Sequence, residues 1–100
     1  MPSNRYYKNL FNRPIRDKKA YKKSEGKCRL CGEGTYATLD IHRIIPGAKH
    51  GKYKKANVVC LCSVCHRKIH ADLIKIDGWY PSTAGLVLRY FDEDGNEQFS

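Results

Sequence analysis

Apolar positions along this chain fall in short, separated runs rather than one long stripe, which predicts brief strands more readily than long helices. The run from Asn57 to Leu61 is short, apolar and β-branched, and predicts a strand. From Leu39 the pattern alternates, with Leu39, Ile41 and Arg43 on one face and Asp40, His42 and Ile44 on the other. That strand should end at the turn signalled by Pro46 and Gly47. Further on, Ile74, Ile76, Trp79 and Tyr80 lead to the segment Leu86 to Phe91. The Asp94-Gly95 step then predicts a β-hairpin returning through Glu97 to Phe99. Near the N-terminus, Pro14 suits a first helical turn and predicts a helix over roughly Ile15 to Lys23 with a weak apolar stripe.

Two cysteine pairs interrupt this pattern. Cys28 and Cys31 form one C-x2-C knuckle, followed at once by Gly32; Cys62 and Cys65 form a second. Four thiols in two such pairs predict a structural Zn2+ site, and the long segment between the pairs must hold structure of its own. Cys60 is the odd cysteine and reads as a small buried apolar residue. His66 and His70 follow the second knuckle at a spacing of four, which puts both on one face of a helix. A thiolate pair running into such a histidine pair suits two metal ions held close together, one closed by sulfur and one left open on nitrogen. Taken one at a time, His42 reads as a core histidine, His66 as a residue packed on the knuckle and His70 as a C-terminal helix cation.

Length and charge narrow the picture. One hundred residues is the size of a single domain with a limited core, and such domains often add a metal. The net charge of +9 is unevenly spread: residues 1–27 carry nine Lys/Arg against two acids, 28–70 eight against two, and 71–100 two against six. A basic front with an acidic tail points to a polyanion partner. Cations neutralise phosphates, and Tyr6, Tyr7, Phe11 and Tyr21 among them can stack; alternatively the arm is a solvated helix covering the zinc site. The loop 47–56, with Lys49, Lys52, Lys54 and Lys55, is a natural phosphate-contacting element, as are Arg67 and Lys68. His50 in that loop reads as a surface residue, and Asn57 as a side chain able to pin the loop to its own backbone. No apolar signal segment or membrane-spanning run is visible, so the expectation is a cytoplasmic, reducing setting with thiols kept for metal.

The order C-x2-C, a strand with His42 before Ile44-Ile45-Pro46, Asn57 before the apolar run, then C-x2-C-H-x3-H resembles the HNH nuclease family over about residues 28–70. The Gly78-Trp79-Tyr80-Pro81 region is similar to that of small phage-type HNH proteins. The resemblance implies an α+β fold: a small ββα-metal, treble-clef-like domain with a four-cysteine zinc site and a C-terminal β-hairpin. On this reading residues 1–27 are a basic arm, 28–73 the metal-binding core and 74–100 the hairpin extension. It also implies a DNA endonuclease with His42, His66 and His70 around a catalytic divalent cation (Mg2+, Mn2+, Ni2+ or Zn2+) and Asn57 ordering the loop between the strands. Approach to the DNA backbone from the minor groove is implied too, by a monomer or, for concerted double-strand cuts, a homodimer. One position departs from the family pattern. Where the family carries its general-base histidine this chain has Arg43, which stays protonated at any workable pH. Three outcomes stay open: His42 acts as base, another group does, or the domain binds nucleic acid with weak or no catalysis.

Overall fold

A two-stranded antiparallel sheet and one helix form the centre of the molecule; the computed structural model describes residues 13–83 and 85–100. Strand β1 (Leu39–Arg43) pairs with β2 (Val58–Cys62) in the register Leu39 to Cys62 and His42 to Val59. Every residue of β2 is buried, as expected for a continuous apolar strand covered on both faces. Its backbone is satisfied beyond β1: Cys60 O accepts from Arg29 N at 2.9 Å, and Val58 O accepts from the Trp79 indole at 2.8 Å.

The N-terminal helix, α1, spans Lys18–Glu25 rather than Ile15 to Lys23. Asp17 is the reason: its carboxylate accepts from Ala20 N at 3.0 Å, making it the N-cap, and Gly26 closes the other end in the left-handed region. Residues before it are instead extended, with Pro14 bridged to Lys54 and Ile15 N donating to Tyr53 O at 2.7 Å. Helix α2 (Ser63–His70) starts directly after β2, capped by Cys62, whose sulfur accepts from Cys65 N. Tyr6, Tyr7 and Phe11 lie outside the described residues.

The C-terminal hairpin is part of a larger sheet. Strands β3 (Lys75–Ser82), β4 (Gly85–Phe91) and β5 (Glu97–Phe99) form an antiparallel sheet in the order β3-β4-β5. Gly78, at a register shift, and Pro81 obscure β3 in the sequence; as an edge strand it tolerates both. The sheet completes the core rather than hanging from it. Leu88 of β4 is fully buried among Cys28, Leu39, Val59, Cys60, Leu61, Cys62 and Cys65, with Trp79 and Tyr90 packed alongside. Ser100 pairs with Leu88 through both backbone groups, and its hydroxyl donates to Arg29 O at 2.6 Å, tying the chain end to the first knuckle. The result is a small α+β fold with two helices and antiparallel sheets among the described residues. Among the described residues no helix is long and apolar enough to cross a membrane.

Candidate metal centres and groove

Two clusters of metal-ligating side chains flank helix α2. At its start the sulfurs of Cys28, Cys31, Cys62 and Cys65 all lie within 4.8 Å of one another. The Cys31 and Cys62 sulfurs are 3.6 Å apart, far beyond a disulfide and close to the edge of a thiolate tetrahedron, about 3.8 Å for metal–sulfur bonds of about 2.3 Å. Each knuckle is shaped to supply N–H donors. Gly32 sits at φ 83° and donates to Cys28 O, while Cys65 N donates to Cys62 Sγ at 3.4 Å. Burial pushes the Cys28 thiol up, yet backbone donors at Cys31, Cys62 and Leu30 outweigh it and bring it down to about 7. Burial and the neighbouring cysteines push Cys65 up, the cost of packing several thiols together without a cation. These residues fit Zn2+. Cys60 stands apart in the core, its thiol pushed up to about 11 by burial and then by Glu25 and Cys28.

Halfway along the helix is the second cluster. Ligand nitrogens of His42, His66 and His70 also lie within 4.8 Å of one another. Helix geometry stacks His66 over His70, and the antiparallel register carries His42 of β1 against them, with ring centroids 5.0 Å from His66 and 5.7 Å from His70. The His66 and His70 Nε2 atoms are 3.1 Å apart, a span one cation can bridge with metal–nitrogen bonds of about 2.0–2.1 Å. Asp40 sets the tautomer: a carboxylate only accepts, so His66 Nδ1 donates to Asp40 Oδ2 at 3.2 Å and leaves Nε2 as a lone-pair nitrogen. His42 is 8 % exposed. Burial, and then the charges of His66 and His70, lower its pKa to about 4, so its imidazole is neutral at neutral pH. This donor set fits a borderline divalent cation.

The cluster opens onto a groove of about 440 Å³, whose walls include Arg43, Pro46, Tyr53 and Ile69. Asn57 organises the far wall. Its amide oxygen accepts from Ile45 N at 2.7 Å, and its nitrogen donates to Ile45 O at 3.0 Å and Lys52 O at 2.9 Å. One side chain thereby ties together both ends of the loop. Gly51 makes that closure feasible, since a Cβ there would meet Ile45 O at 1.6 Å. Lys49, His50, Lys52, Lys54 and Lys55 are exposed on the loop, and Arg67 is exposed on helix α2. Lys68 is not with them: it pairs with Glu93 at 2.6 Å, beside the cysteine cluster.

Two residues of this region had no signal of their own in the sequence. Asp40 alternates with His42 along β1, so its place on the same face was readable; its partnership with His66, twenty-six positions away, depends on the fold. Tyr53 lies in the basic loop, with the Lys18 ammonium 3.8 Å and the Arg43 guanidinium 4.5 Å from its ring centroid.

Comparison with known proteins bears on this geometry. Residues 28–72 match the family model described as HNH endonuclease, a span that contains both clusters and the loop. The chain is also similar to a mitochondrial DNA mismatch repair protein mutS homolog of Sarcophyton glaucum, 36% identical over 58 residues. That stretch covers 52% of this chain and 6% of the relative, so the chain spans a small fraction of the relative's length. No solved structure matches. The family match rests on the same stretch that brings the cysteines and histidines together: over residues 28–72 this chain is similar to the HNH endonuclease family.

Proposed function

We propose that this chain is a metal-dependent endonuclease that hydrolyses phosphodiester bonds of DNA. The observation that carries the reading is the convergence of His42, His66 and His70 on an open groove beside Arg43. A divalent cation held by His66 and His70, with or without His42, would stabilise the charge that develops on the phosphate and the leaving oxygen. The chain's own residues do the rest. Asp40 holds His66 in the ligating tautomer. Asn57 keeps the loop folded against β1, so that Lys49, Lys52, Lys54 and Lys55 stand ready for backbone phosphates, with Arg67 on the helix. Lys68, also on the helix, is paired with Glu93 at the surface. Arg43 cannot take a proton from water and serves as a fixed positive charge at the phosphate. Deprotonation of the attacking water then falls to neutral His42, with His66 and His70 keeping the cation, or to another group. Residues 28–73 form the working core on this reading; 1–27 add a basic arm and 74–100 a supporting extension. Zn2+ on the four cysteines supplies stability rather than chemistry, which suits a reducing, intracellular setting.

One observation favours a second reading. With Arg43 at the family's general-base position, the domain can instead be a zinc-stabilised nucleic-acid-binding module with weak or no catalysis. Plasmid nicking by zinc-loaded protein, with Mg2+, Mn2+, Ni2+ or additional Zn2+ supplied, separates the two. Cation-dependent nicking that disappears in His42→Ala upholds the endonuclease. DNA binding without nicking under any cation sinks it and leaves the binding module. Nicking that appears only in Arg43→His means a scaffold that has lost its base.

A further inference from the structure

The histidine groove does not end at Arg43. On the other side of Tyr53 lies a second groove of about 220 Å³, lined by Lys18, Lys19 and Lys22 of α1 together with Asp40, Ile41 and Tyr53. Tyr53 and Ile41 belong to the walls of both grooves. The pairing of Pro14 with Lys54 and of Ile15 N with Tyr53 O holds α1 against the loop, so the lysines are set there by the fold. Two cations share the Tyr53 ring, Lys18 and Arg43. Room for the guanidinium comes from Gly47, where a Cβ would lie 2.8 Å from both terminal nitrogens of Arg43. None of Lys18, Lys19, Lys22 and Arg43 has a carboxylate at ion-pair distance among the described residues. Two cations elsewhere are compensated: Lys68 meets Glu93, and Arg89 meets Asp77 and Glu97. The carboxylate within the lysine groove, Asp40, is engaged by His66.

We propose that Lys18, Lys19 and Lys22 on α1, with Tyr53 and Arg43, form a second phosphate-binding groove continuous with the histidine groove, holding the sugar–phosphate backbone of the strand that enters the site. The proposal rests on the reading of DNA as the partner and names where one strand runs. Several phosphates spaced along a backbone match a line of lysines ending in a planar guanidinium better than a single small anion does. The shared ring holds Lys18 and Arg43 close together along the line the strand would take.

The test is duplex binding by the full zinc-loaded chain, followed by anisotropy of a labelled DNA across a salt series with no second cation added. A triple variant K18Q/K19Q/K22Q should lower the slope of log affinity against log salt by about 2 to 3, at roughly 0.9 for each phosphate no longer neutralised. The charge-matched triple K23Q/K27Q/K75Q, whose residues line neither groove, should lower it by less than about 1. Equal shifts in the two triples, or an unchanged slope in the first, overturn the groove. Nicking assayed alongside keeps the two readings apart. A wild-type slope with nicking intact in the first triple overturns the groove and leaves the endonuclease. A reduced slope without nicking under any cation upholds the groove and overturns the endonuclease.

Discussion

The two clusters on helix α2 use the same trick of spacing and come out as different kinds of site. The four cysteines sit on tight knuckles at the root of the helix, with Cys28, Cys62 and Cys65 buried and Leu88 packed into the same core. The three histidines sit one to two turns further on, with His42 buried, His66 half-buried and His70 exposed at the edge of a groove. A closed sulfur site has no position left for a substrate, so its metal can only hold the chain together. An open nitrogen site leaves positions free and gives the fold little. On the proposed function a short chain divides labour: ligand type and burial, rather than position on the helix, would decide which metal stabilises and which one works.

The largest effect should come from the closed site. Cys62 is both a thiol of the cluster and the cap of α2, so Cys62→Ala, or zinc removal by a strong chelator, should leave the chain unfolded at 25 °C by circular dichroism. A chain that stays folded without zinc would erase the distinction. His66→Ala with His70→Ala should do the reverse. The fold and the first zinc persist, with a melting temperature within a few degrees of wild type, while nicking falls at least about 100-fold because several kcal/mol of charge stabilisation are lost.

Much of this division was legible in the residue pattern. The paired cysteines and the i,i+4 histidines are local spacings, and the fold brings both sets together. The β1 alternation put His42 on one face with Asp40, and β2 announced itself by its continuous apolar run. The rest depends on tertiary proximity or on competing local signals. Strand β3 was hidden because Gly78 and Pro81 break its pattern, and its pairing with β4 overrides that weak propensity. The α1 start was misplaced because Asp17 is a stronger cap than Pro14 is a first turn. The engagement of Lys68 by Glu93, and of Tyr53 by Lys18 and Arg43, joins residues far apart in the chain.

Smaller effects sharpen the comparison within the open site. Asp40→Asn removes the charge behind His66 while keeping its shape; isothermal titration should show cation affinity down about 10- to 100-fold with stability little changed. Asn57→Ala removes three hydrogen bonds to the loop backbone. Denaturant melts should report a loss of about 1–3 kcal/mol, with the cysteine-held zinc retained.

On the proposed function, one short helix serves two metals of different character. Native mass spectrometry of the full chain, equilibrated with excess Zn2+ and then exposed to a mild chelator, tests it most directly. The expected result is two zinc ions per chain before chelation and one after, with the chelatable ion missing from His66→Ala/His70→Ala and the persistent one still present. A single zinc under all conditions, or a double variant that binds as many ions as wild type, would contradict it.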